Sequence, residues 1–159
     1  MGAEQFPMTR QGAEARTKEV QSLTTDGRRR IAALLEEALG HGDLKENAEY
    51  HEAKTEQGQM EARIRMLEHR LALATVVDTA KIKSDKIVFG AKVTVVDEET
   101  DEEKLYHIVG EDEADWNLNK ISITSPGARA LIGKAVGVSV EVRAPRGTRD
   151  YEILEVEYP

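Results

Sequence analysis

Asp43 and Glu46 stand three residues apart in the segment His41-Gly42-Asp43-Leu44-Lys45-Glu46-Asn47. Where a helix begins, that spacing puts both carboxylates on one side of the first turn. Two carboxylates can hold a hard cation such as Mg2+, which takes oxygen ligands and keeps several waters. A complete site needs more ligands, and a partner already holding metal and substrate would supply them. The same spacing is also that of a capping box, in which an acceptor residue and a Glu three places on satisfy the donors of a helix start. Both carboxylates suit a helix N-terminus electrostatically as well. Capping and metal binding therefore stay open together, and they can coexist if the caps release in a complex.

Other chemistry finds less support. His41 and His51 flank the same turn, but the chain has no cysteine and His51-Glu52 lacks the second histidine of a helical zinc motif. The absence of cysteine also excludes disulfides and thiol nucleophiles. No strand–Ser–helix elbow marks a hydrolase. Gly133 and Gly137 are isolated and form no phosphate loop.

The acids need elements to position them. Prolines fall at 7, 126, 145 and 159, so nothing from Met8 to Ser125 bars a helix. Thr9 is a candidate N-cap for a helical stretch from Arg10 to Leu39, and a second stretch runs from about Leu44 to Ala74. In the second, Ala53, Gln57, Met60, Ile64, Leu67, Leu71 and Ala74 form a heptad seam. In the first, Ala13, Val20, Leu23, Gly27, Ile31, Leu34 and Ala38 approximate one. Two spacings of four around Gly27 resemble a stutter, and Thr24-Thr25-Asp26-Gly27 could bend or break the helix. The short His41-Gly42-Asp43 link, with Gly42 ending one helix and Asp43 capping the next, makes the stretches antiparallel neighbours. At ~1.5 Å per residue the hairpin would be ~45 Å long, with the acids at its tip.

After about Asp78 the pattern alternates, at Lys92 to Val96, Leu105 to Val109, Val138 to Arg143 and Tyr151 to Tyr158. Pro145-Arg146-Gly147 reads as a hairpin turn, and Ser125-Pro126-Gly127 precedes a short helix from Ala128 to Ile132. The expected class is α+β: a helical hairpin over 1–78, with its tip near 41–50, then an antiparallel-sheet domain over 79–159.

Charge narrows the partners. The 159 residues carry a net charge of −8, and both halves are acidic, which opposes independent phosphate-driven binding to nucleic acid. Arg28-Arg29-Arg30 and Arg63, Arg65 and Arg70 could meet RNA, but they read more simply as a salt-bridged helix face. No apolar run approaches the ~18 residues of a membrane span, and no leader segment is recognisable. A cytoplasmic protein with no membrane partner is expected. A monomer is expected too, because the hairpin supplies its own partner helix.

The segment HGDLKENAEYH, residues 41–51, resembles the hairpin tip of the bacterial GreA/GreB transcript cleavage and elongation factors. EQGQMEARIRMLEHRLALATVVD at 56–78 is similar to their second coiled-coil helix. IVFGAKVTVVD (87–97), VGEDEADW (109–116) and TSPGARALIGK (124–134) resemble their C-terminal domain. The resemblance implies a long antiparallel coiled-coil hairpin followed by an FKBP-like domain that docks at the secondary channel of bacterial RNA polymerase. It implies that Asp43 and Glu46 help to hold Mg2+ jointly with the polymerase active site, with no metal in the free protein. The polymerase then cleaves the 3′ end of backtracked RNA, so the factor is not itself an enzyme. Asn47 and Tyr50 match the adjoining tip motif, Lys54 becomes an RNA-contact candidate, and Thr124, Ser125 and Pro126 match the docking loop. Helix 1 departs from the family pattern: Gly12 to Val20 reads GAEARTKEV, with Arg16 on a seam position, and Arg28-Arg29-Arg30-Ile31 replaces a central Arg-Pro-Glu-Ile element. The alternative is a secondary-channel inhibitor of the same fold. An isomerase lacks the aromatic residues for its pocket, and a plain adaptor would leave the tip acids as caps.

Overall fold

The computed structural model describes residues 6–43 and 47–159. They fall into two compact units, residues 14–73 and residues 6–13 with 74–159. Residues 6–13 and 74–78, assigned from sequence to the helical half, thus group with the sheet.

In the helical unit, α1 (Arg10–Ser22) continues through a π-helical segment, Leu23–Gly27, into α2 (Arg28–Leu39). The turn expected at Thr24 to Gly27 is therefore not a break. The Thr24 and Thr25 hydroxyls donate to the Val20 and Gln21 carbonyls at 2.8 and 2.7 Å, back-bonding that suits a wider helical turn. A Cβ on Gly27 would lie 2.9 Å from Met60 Sδ, so glycine lets Met60 approach the segment.

The return helix α3 runs Ala48–Ala72. Ala53, Met60, Ile64 and Leu67 of its predicted seam are buried, and Ile31, Met60 and Ile64 form a core with Leu23 and Leu35 packed against it. Leu34, expected on the seam, is 38% exposed. Ile31 and Ala38 of the predicted seam are buried, and Leu35 packs between them in place of Leu34. Glu19 accepts both Nε (2.7 Å) and Nη2 (3.1 Å) of Arg63, and Glu61 accepts the same pair from Arg28 at 2.8 and 3.0 Å. Arg30 pairs with Glu56, and Arg16 on its seam position lies 3.6 Å from Glu19.

The other unit holds a five-stranded sheet in the order β5-β4-β3-β7-β6. Its strands are β3 (Lys92–Asp97), β4 (Glu103–Val109), β5 (Lys120–Ser122), β6 (Ser139–Ala144) and β7 (Gly147–Glu157). Pairing is antiparallel except between β4 and β5. Val93, Val95, Ile108 and Ile153 form its core, closed by Ala128 and Leu131 of α4 (Pro126–Leu131). Three strands were not foreseen: β5, and β1 (Phe6–Thr9), which pairs in parallel with β2 (Ala74–Val77). Ala74, expected at a helix end, instead begins β2. The α+β class is as expected.

Asp97 ends β3 almost fully buried. Its Oδ1 accepts the Glu99 and Thr100 N–H groups at 2.9 and 3.3 Å, and its Oδ2 accepts Arg149 Nη1 at 2.8 Å. The Glu99 N–H and the Arg149 guanidinium hold its carboxyl below the usual range. A carboxylate whose folded pKa is depressed stabilises the fold above its unfolded value, near ~3.9, and loses that contribution as pH falls through the folded value. Asp97→Asn should therefore lower the melting temperature at pH 7, and the gap to wild type should narrow on acidification below about pH 4. The register of the hairpin has its own check. Ile64→Ala should cost about 2–5 kcal/mol in denaturant unfolding, and Leu34→Ala less than about 1.5 kcal/mol.

Candidate functional site

The hairpin tip is built around Asn47, which is 8% exposed. Its Oδ1 accepts the Tyr50 N–H at 3.0 Å, capping α3, and its Nδ2 donates to the Ala38 carbonyl near the end of α2. The same carbonyl accepts the His41 N–H at 3.1 Å. One side chain thus satisfies a donor at the start of one helix and an acceptor at the end of the other, groups that helix termini leave unpaired. The cap expected at Asp43 is in fact Asn47, four residues later. Gly42, after the end of α2, turns at φ +103°.

Asp43 is exposed, and with His41, Asn47, Ala48 and Glu49 it lines an open depression at the tip. Glu46 lies outside the described residues. His41 Nε2 is 3.3 Å from a Glu49 carboxylate oxygen. The Tyr50 ring meets that of His51 edge-on, with centroids 5.7 Å apart. Lys54 is exposed one turn further along α3, where its ammonium donates to Gln57 Oε1 at 3.1 Å. Among the described residues, no three His, Cys, Asp or Glu are grouped so as to hold a metal ion.

Thr124, Ser125 and Pro126 lie in the sheet unit. Ser125 caps α4 by accepting the Ala128 N–H at 3.2 Å, and Pro126 occupies its first turn. Thr124 is exposed, and its hydroxyl lies 2.8 Å from that of Ser122. Pro126 also lines a cavity of about 540 Å3, walled by Val95, Tyr106, Leu131 and Tyr151, with Trp116 and Arg146 at its margin. Burial beside Tyr151 pushes the Tyr106 phenol up to about 12. Trp116 is 77% exposed. The sequence reading set these aromatics aside because they are few. Two strands and a turn, far apart in sequence, bring them together, so no linear spacing announces the cavity.

A family model described as "Transcription elongation factor, N-terminal" (GreA_GreB_N) matches residues 6–76, and one described as "Transcription elongation factor, GreA/GreB, C-term" matches residues 82–158. The chain belongs to the GreA/GreB family of transcription elongation factors. It is 55% identical over 152 residues to the transcription elongation factor GreA of Magnetococcus marinus, covering 96% of this chain and 97% of that one. Against the GreA of Beijerinckia indica it is 50% identical over 155 residues, covering 98% and 99%. The crystal structure of Thermus aquaticus Gfh1 aligns at 26% identity and a TM-score of 0.45 over 98% and 99% of the two chains.

The Asn47 bridge has a direct readout in this GreA/GreB hairpin. Asn47→Ala should cost about 1–3 kcal/mol, from a lost cap and an exposed helix-end carbonyl. Amide exchange should accelerate most at Tyr50, whose N–H the cap receives.

Proposed function

We propose that this chain stimulates the cleavage of backtracked RNA by bacterial RNA polymerase. The observation that carries this reading is the exposed place of Asp43 in the turn between α2 and α3. Asn47 caps α3, and Asp43 stands exposed beside it at the end of the hairpin. The sheet unit docks at the rim of the secondary channel through Thr124, Ser125 and Pro126, and the hairpin enters the channel. The chain is not the nuclease. It completes the polymerase's own active centre, acts as a monomer and needs no membrane.

Asp43 and Glu46 offer carboxylate oxygens suited to Mg2+, held jointly with ligands of the polymerase. The ion, when bound, supplies charge stabilisation and lowers the pKa of coordinated water. Asp43 and Glu46 also orient the attacking water through hydrogen bonds, and either carboxylate can take up its proton. Asn47 fixes the start of α3, Tyr50 supports the tip, and Lys54 faces the extruded RNA as a cation for a phosphate. The exposure of Asp43 and the elongation-factor names of relatives at 50–55% identity favour this function over a channel blocker of the same fold.

The test uses a backtracked elongation complex with labelled RNA and Mg2+. Wild-type protein should release short RNA. Asp43→Ala and Glu46→Ala should each slow release by ~100-fold or more, a typical cost for losing a catalytic acid–base group, while binding to polymerase persists. Loss of binding in step with cleavage would remove the catalytic role. Slowed elongation on unpaused complexes, without cleavage, would mark an inhibitor.

A further inference from the structure

The Glu113 carboxylate gathers donors from its own turn and from Thr9, 104 residues earlier in the chain. Its Oε2 accepts the Thr9 N–H and the Gly110 N–H, each at 3.0 Å. Its Oε1 accepts the Thr9 hydroxyl. The Thr9 Oγ1 in turn accepts the Gly12 N–H at 3.0 Å, the bond of an N-cap to the first turn of α1. A relay therefore runs from the helix start through Thr9 to a carboxylate in the turn that follows β4. Thr9 is 6% exposed, which shields these charge-assisted bonds from water.

Two glycines make room for the relay. A Cβ on Gly12 would lie 2.0 Å from Glu113 Oε1, and one on Gly110 would lie 2.4 Å from the Pro7 carbonyl oxygen. Neither glycine has a positive φ, so the requirement is steric. Beside this cluster, β1 leads into α1 and β2 follows α3, and the two strands pair from Phe6↔Ala74 to Thr9↔Val77. Both segments through which the chain enters and leaves the hairpin are thus bonded together, and Glu113 ties them to the sheet unit.

We infer that Glu113 is a positioning residue for transcript cleavage, clamping the first turn of α1 so that the tip acids are delivered from a fixed root. The inference rests on the cleavage function proposed above. The physical reason is leverage. The 25 residues of α3 span ~37 Å, so a ~5° play at its root moves the far end by ~3 Å. A misplacement of ~1 Å can cost up to ~100-fold in rate.

The experiment compares wild type with Glu113→Gln, Glu113→Ala and Thr9→Val in the full chain. Amide exchange is measured at Thr9, Gly12 and Gly110, with the buried Ile153 as reference. Cleavage is measured at saturating factor, together with the factor concentration giving half the maximal rate. Glu113→Ala and Thr9→Val should speed exchange at the reporter amides by at least tenfold and leave Ile153 unchanged. The saturated cleavage rate should fall ~10- to 100-fold with little change in half-saturation. Glu113→Gln keeps one acceptor for the two N–H groups, so it should fall between wild type and Glu113→Ala, and it serves if the alanine variant does not fold. Faster exchange with an unchanged saturated rate overturns the positioning role, as does a change confined to half-saturation. Unchanged exchange overturns the clamp. Absence of cleavage by wild type overturns the cleavage function instead, and the exchange result still reports on the clamp.

Discussion

The packing of α2 against α3 along one narrow seam is the interaction on which the tip depends. A two-helix hairpin has no second layer, so each helix has one stripe to bury and one partner to bury it against. Ile31, Met60 and Ile64 supply the centre of that contact. Toward the tip the seam narrows to small residues, Ala38 and Ala53, both buried. Small side chains bring the helices close enough for Asn47 to reach the Ala38 carbonyl across the gap. The apolar seam and the polar bridge are therefore one device. The first sets the separation that the second needs, and the second terminates both helices at a defined place.

Charge is spent along the flanks of the same seam. Arg28, Arg30 and Arg63 engage Glu61, Glu56 and Glu19, each on the facing helix. Exposed pairs contribute little individually. Their value lies in register, because a slip of one turn would part Arg28 from Glu61 and Arg63 from Glu19. A consequence for binding follows. A phosphate approaching these guanidinium groups competes with carboxylates already in place, and the chain as a whole carries −8. The hairpin is therefore poorly suited to hold RNA by charge alone, which agrees with delivery to a site where another protein already holds the RNA.

The heptad seam of α3 was legible in the sequence because burial on one face imposes a period that no short-range effect obscures. Four of its positions, Ala53, Met60, Ile64 and Leu67, are buried. The long strands were legible for the same reason. Three features were not. The π segment Leu23–Gly27 continues the helix, and local residue types do not separate that from a turn, since Thr, Asp and Gly serve both. The β1–β2 pair is four residues long on each side and joins strands far apart in sequence, so Ala74 to Val77 reads as the tail of an apolar helix. The start of α3 was misplaced because Asp43 and Asn47 are both good caps, and only the nearness of Ala38 decides between them. At the candidate site, the identity of the tip was plain in the sequence, whereas the Tyr106–Trp116–Tyr151 cavity and the Glu113 cluster depend on pairings that only the folded chain makes.

The choice of cap bears directly on chemistry. A carboxylate that capped α3 would have its oxygens committed to backbone N–H groups and would have to surrender them to bind a metal, at a cost to hairpin stability. In this hairpin the cap of α3 is Asn47. A neutral amide takes the structural duty, donating to one helix and accepting from the other, which a carboxylate cannot do because it has no donor when ionised. Under the proposed function Asp43 is asked for chemistry, and the bridge that ends both helices rests on a neutral side chain instead.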